Sequence, residues 1–167
     1  MIRTVEDPYT GDETYVVPPL NPDVAIVRAQ RATTAGDAHM WGIVGDMVEA
    51  SFAAETVILD VEEIVDEDVI RSDPNRTLIP GNVVDYVTRT PFGSHPSYVQ
   101  GYYGRDNDAY LEWDEISTSH DDILAWLDEW VHGIDSWDEY VSGHESTLLD
   151  QQPSSAYAEP VNMGWYE

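Results

Sequence analysis

Two kinds of side chain in this sequence stand where they can act on a substrate. One is the paired carboxylates Glu62 and Glu63; the other is His95, within F-G-S-H-P-S (residues 92–97). A carboxylate serves as nucleophile or general base when its surroundings tune it. Glu62 and Glu63 follow the apolar run V-I-L-D-V (residues 57–61), at a strand end, where the sites of α/β proteins gather. Number weighs against them: among 33 acidic residues any one pair is a poor signal, and a structural role is the expectation for both. His95 is the better candidate. Its imidazole donates a hydrogen bond at neutral pH, Gly93 lets the backbone come close to a ligand, and Ser97 offers a hydroxyl and its own N–H. An equal alternative has His95 and Pro96 simply locking a loop against the sheet or a partner.

These groups depend on the elements that carry them. Pro18, Pro19 and Pro22 make the entry segment extended, so a strand begins at Val24 and runs to Ala29. Its continuous V-A-I-V is the pattern of a strand covered on both faces. Ala35-Gly36-Asp37 reads as a turn. Residues 47–54 suit a short helix with Met47, Val48, Phe52 and Ala53 inward. Buried strands follow at 57–61 and 83–87, the latter launched by Pro80-Gly81. This order predicts an α/β fold with an open, largely parallel sheet and flanking helices. Residues 93–107, rich in Gly, Pro, Ser, Tyr and Asn, predict a long irregular loop of the kind that tends to carry function. A helix from Ser119 to Ile134 has Ser119 as N-cap, Asp121 and Asp122 in its first turn and Gly133 near its stop. Ile123, Leu127, Trp130 and Ile134 share its inner face, supported by Leu124 and Val131. Trp113, Trp126, Trp130 and Trp137 crowd this part and belong to the core or to a subunit interface. The domain is expected over residues 1–144, followed by a polar tail, 145–167.

Charge narrows the partners. The net charge is −26, with only seven basic residues, all arginine, and no lysine. A mimic of nucleic acid would concentrate its acid on one face, whereas here carboxylates run from Glu6 to Glu167. Spread acid and the loss of every lysine fit a surface adapted to high salt, where repulsion is screened. Nucleic acid is not an expected partner, since phosphate binding needs clustered cations. Without cysteine there is no disulfide framework or thiol nucleophile. His39, His120, His132 and His144 lack metal-ligand spacing, so no metal site is expected. No apolar run approaches bilayer length and residues 1–10 lack a leader's apolar region, which makes the expected setting cytoplasmic, with no membrane partner. Arg28, inside a strand, calls for a carboxylate partner, an internal ion pair before an acid substrate. G-I-V-G at residues 42–45 is too weak for a phosphate loop.

Five words stand in order along the middle of the chain: N-P-D-V-A-I-V-R-A-Q-R-A (21–32), G-D-A-H-M-W-G (36–42), V-I-L-D-V-E-E-I-V (57–65), D-P-N-R-T-L-I-P-G (73–81) and P-F-G-S-H-P-S-Y-V-Q-G-Y-Y (91–103). In this order and spacing they resemble the later half of the alpha subunit of a glutaconate-type CoA-transferase. The resemblance covers roughly half the chain strongly, and the family's Gly-rich N-terminal half has no counterpart in it. It implies the CoA-transferase α/β fold, coenzyme A as a substrate rather than a resident cofactor, and an obligate beta subunit. It also implies that the nucleophilic glutamate, which forms a glutamyl-CoA thioester between an acyl-CoA and a carboxylic acid, lies on that beta subunit. No catalytic residue is then expected in this chain. Gly93, Ser94, His95, Ser97 and Gly101 would shape one side of the acyl and CoA pocket, with His95 able to donate to a thioester oxygen. Hydrolysis of CoA thioesters on the same fold is the runner-up, and a non-catalytic acidic binding protein the third reading. The acyl group is left open among a dicarboxylic acid, a 3-oxoacid and a ring-degradation product.

The charge distribution yields a direct test. The melting temperature should rise from low salt to multimolar KCl; a melt that does not move with salt contradicts the salt-adapted reading.

Overall fold

The computed structural model describes residues 2–150, apart from the side chains of Ser146, Leu149 and Asp150. Its centre is a five-stranded sheet in the order β6-β4-β3-β5-β7. These strands are β3 (Val24–Ala32), β4 (Ala38–His39), β5 (Thr56–Ile64), β6 (Thr77–Ile79) and β7 (Tyr86–Arg89). β3, β5 and β7 run parallel, while β4 pairs antiparallel with both β3 and β6. The sheet is therefore mixed around a parallel trio. A separate antiparallel hairpin, β1 (Arg3–Glu6) with β2 (Glu13–Val16), is exposed along its whole length.

One face of the sheet holds the core. Ala25, Val27 and Ala29 of β3 and Val57, Leu59 and Val61 of β5 are buried there, packed by Met47, Val48, Val83, Val84 and Val87. Met47 and Val48 belong to α1 (Met47–Ala53). The tight turn between β3 and β4 rests on Gly36, whose φ of +94° suits glycine, and a Cβ there would meet the Val84 side chain at 2.7 Å.

The opposite face corrects the expectation of a strand covered on both sides. Ile26 is 74% exposed and lies in one row with Ile58 and with Tyr86, itself 64% exposed. An uninterrupted apolar run has marked a strand whose second face is open in this chain. Other readings shift for local reasons. The third strand starts at Tyr86 rather than Val83, because Gly81–Val83 winds into a 3-10 turn after Pro80. Phe52 is 58% exposed and Ala53 is exposed too, while Ser51 turns inward and donates to the Met47 carbonyl.

After β7 the chain forms an irregular loop to Asp106. A helical layer follows: α3 (Asn107–Ile116), α4 (His120–Leu127), a π-helical turn (Asp128–His132), α5 (Trp137–Gly143) and α6 (Glu145–Asp150). Ser119 caps α4 by accepting from the Asp122 N–H, as its sequence predicts. Ile123, Leu127, Trp130 and Ile134 are partly buried, but Leu124 and Val131 face solvent. The stretch expected as a polar tail begins as α6, with Leu148 buried; its remainder, 151–167, lies outside the described residues.

Candidate functional site

The site is built on the face opposite the core, where the rows of the sheet change from apolar to charged. Above the Ile26–Ile58–Tyr86 row, register places Arg28 beside Asp60 and Thr88. The Arg28 guanidinium forms ion pairs with Asp60 and Glu62 and donates to the Thr90 carbonyl at 2.8 Å. Glu62, with only 5% of its side chain exposed, accepts two further bonds, from the Phe92 N–H and the Tyr103 hydroxyl, each 2.8 Å. This carboxylate is thus occupied by three donors. Such an arrangement stabilises a buried anion. Glu63 is exposed and accepts from the Tyr102 hydroxyl at 2.8 Å. Arg28 has the internal ion pair expected of a strand arginine.

The loop from Pro91 to Asp106 folds over this cluster. Phe92 sits at φ +59°, a left-handed conformation that costs a non-glycine residue about 1–2 kcal/mol. Its N–H bond to Glu62 and its ring contact with Tyr103, 5.2 Å between centroids, oppose that cost. Gly93 is needed for packing: a Cβ would come within 2.6 Å of Arg28 Nη1 and 2.9 Å of the Thr90 carbonyl oxygen. The Tyr103 hydroxyl also accepts from the Ser94 N–H at 2.9 Å. Burial pushes that phenol above its ordinary value, so it stays a donor to Glu62.

His95 points away from the Arg28 cluster. Its Nε2 lies 3.0 Å from Asp106 Oδ2 and its Nδ1 2.7 Å from the Tyr140 hydroxyl. Asp106 also caps α3 by accepting from the Ala109 N–H. The carboxylate must receive the Nε2 proton, so the neutral ring accepts from Tyr140 through Nδ1. Burial lowers the His95 pKa from its ordinary 6.5, against the opposing pull of Asp106. Burial, then the charge of Asp106, raises that of Tyr140. Trp137 fixes α5 to the same loop through a 2.7 Å bond to the Pro91 carbonyl. Sequence spacing gave no sign that Tyr140 and His144 would gather around His95; the contact joins residues 45 positions apart.

The five residues singled out from sequence do not share one cavity. Ser94 and Ser97 border a cavity of about 240 Å³ with Arg28, Gln30, Trp41 and Gln100. Gly101 borders one of about 460 Å³ with Glu62, Arg89, Phe92 and Tyr103. His95 lines a third, of about 490 Å³, among the helices. Gly93 is packed on Arg28. The Ser97 N–H is used on the Ser94 carbonyl at 2.6 Å, leaving the hydroxyl as its free donor. Neither serine hydroxyl, nor the Arg28 Nε–H, is bonded to another described residue. Sequence reasoning set Arg28 apart from the loop, yet both border the same cavity. Among the described residues no group of three or more metal-ligating side chains occurs, and no helix is long and apolar enough to cross a membrane.

Comparison with known proteins bears on this geometry. The coenzyme A transferase family profile matches residues 6–90. The chain belongs to that family. It is 39% identical to one of the subunits of 3-oxoadipate CoA-transferase from Pseudomonas knackmussii over 139 residues, 83% of this chain and 49% of that protein. The crystal structure of glutaconate coenzyme A-transferase from Acidaminococcus fermentans superposes with a TM-score of 0.86 at 34% identity, over 91% of this chain and 49% of the other. A variant of the decarboxylase AibA/AibB shares the fold at a TM-score of 0.58 and 33% identity, over 75% of this chain and 46% of that one. The chain thus spans about half the length of each of these relatives. The α/β CoA-transferase fold expected from sequence is the fold observed.

Two outcomes test this site. Arg28→Met should cost about 3–5 kcal/mol in chemical denaturation, because Asp60 and Glu62 would be left buried without their cation; a loss below 1 kcal/mol would show the knot to be dispensable. Stability should also fall on acidification. His39 and His95 are both held below 6.5 chiefly by burial. As pH drops through that value the unfolded chain takes up protons first, so stability is full above it and declines toward the folded pKa. A urea midpoint that stays flat or rises from pH 7.5 to 5.5 contradicts this.

Proposed function

We propose that this chain is one part of the alpha side of a heteromeric CoA-transferase, which moves CoA between an acyl-CoA and a carboxylic acid. Its share is one wall of the substrate pocket. The observation that carries this reading is the pair of serine hydroxyls, Ser94 and Ser97, that border the 240 Å³ cavity beside Arg28 and are bonded to no described residue. Hydroxyl donors beside a guanidinium suit a carboxylate or a thioester oxygen. Gly101, at the neighbouring cavity, extends the same wall. Gly93 and His95 hold the loop that presents it.

The nucleophile belongs elsewhere in this reading. Glu62 stands at the favoured strand end but is occupied by Arg28, Tyr103 and the Phe92 N–H. A glutamate on a beta partner would attack the acyl-CoA and expel the CoA thiolate. The thiolate then attacks the glutamyl carbonyl of the resulting anhydride and releases the donor acid, and the acceptor acid runs the same steps in reverse. The exposed Ile26–Ile58–Tyr86 row and the unpacked β1–β2 hairpin support a chain completed by further polypeptide, since an isolated hairpin is marginal in water. Acid spread along the whole sequence supports a high-salt setting. The likeness to a decarboxylase shows that this fold is not bound to transfer, and it leaves a second reading, in which the pocket persists and hydrolysis of the CoA thioester replaces transfer.

The test is acid-dependent CoA exchange by the chain alone and after co-expression with a beta-subunit-like protein. Activity should appear only in the complex, and the Ser94→Ala/Ser97→Ala pair should lower kcat/KM for the acid by roughly tenfold. Thioester loss that ignores the acid selects hydrolysis; exchange by the chain alone would put the nucleophile back in it.

A further inference from the structure

The helical layer encloses a cavity that the transferase reading does not use. It measures about 490 Å³, within the range of small-molecule sites, and lies among α3, α4, the π-helical turn and α5. Apart from His95 and Pro96, its lining comes from residues 109–144.

Its walls are aromatic and set at steep angles. Trp113 and Trp126 lie 5.1 Å apart with planes at 71°, and Trp130 and Tyr140 lie 6.1 Å apart at 82°. Glu112 and Glu129 also line it, and neither side chain has a partner among the described residues. No arginine lines the cavity, and the chain has no lysine. Ring faces and carboxylates both carry negative potential, so an acyl carboxylate or phosphate would be repelled here. A neutral apolar guest would fill the space but would offer the two carboxylates no counter-charge. The surface already shows its preference: the Arg105 guanidinium lies 3.8 Å over the ring of Tyr110, which also lines the cavity.

We propose that the cavity bounded by Trp113, Trp126, Trp130 and Tyr140 is a binding site for a small organic cation of the quaternary ammonium class, with Glu112 and Glu129 supplying the counter-charge. The methyl groups of such a cation present diffuse positive charge to the ring faces, and its low hydration makes transfer out of water inexpensive.

Choline and its uncharged isostere 3,3-dimethylbutan-1-ol separate charge recognition from filling of an apolar space. The full chain is titrated with each at constant KCl, following tryptophan fluorescence and calorimetric heat. Choline should bind saturably at one site, with the isostere about tenfold weaker. Glu112→Gln/Glu129→Gln, on two exposed residues whose loss leaves the far-ultraviolet circular dichroism unchanged, should reduce that difference to the share that the rings alone supply. Trp126→Leu should abolish choline binding; should this variant fail to fold, the glutamine pair decides. Equal affinity for the two probes, a choline signal that never saturates, or a charge preference that survives undiminished in the glutamine variant would each overturn the proposal.

Discussion

The ion-pair knot of Arg28 with Asp60 and Glu62 is the interaction on which the rest of the site depends. It lies across two parallel strands on a sheet face that is otherwise apolar below and roofed by a loop above. A guanidinium in that place cannot lose its charge, so the fold must supply carboxylates, and it does so from the neighbouring strand in register. The loop then closes around the pair. Thr90 gives a carbonyl, Phe92 an N–H, Tyr103 a hydroxyl, and Gly93 the absence of a side chain. Each contact is modest in itself. Together they fix a segment that has almost no regular structure of its own.

Through that loop the knot reaches the helices. His95, bonded to Asp106 and Tyr140, ties the loop to the start of α3 and to α5, and Trp137 adds a second tie through Pro91. Much of the order of the helical layer therefore comes from polar anchors and ring contacts on the loop rather than from a large shared core. Among its described residues only Tyr140 and Leu148 are buried hydrophobic side chains. The cavity lies where two aromatic pairs of this layer, Trp113–Trp126 and Trp130–Tyr140, meet edge to face.

The distribution of chemistry follows from the same constraint. Glu62 is spent on steadying Arg28 and the loop, and both nitrogens of His95 are spent on Asp106 and Tyr140. What remains open is a set of donors beside Arg28 and an exposed apolar row below it. Both suit a chain that shapes a pocket and meets other polypeptide.

The sequence alone determined the family and the parallel trio of strands, because apolar runs at 24–29 and 57–61 and the five ordered words are local signals. It also determined the Ser119 cap and the demand of Arg28 for an acidic partner, since both arise from the residue and its near neighbours. Only the tertiary structure decided which carboxylates would answer that demand, because Asp60 and Glu62 lie more than 30 positions away and face Arg28 through strand register. It alone distributed Ser94, His95 and Gly101 among three cavities, since the path of an irregular loop is set by what it packs against and not by a repeating pattern. It alone showed Ile26 and Tyr86 to be bare: an apolar run says that a strand face wants covering, but not whether this chain holds the piece that covers it.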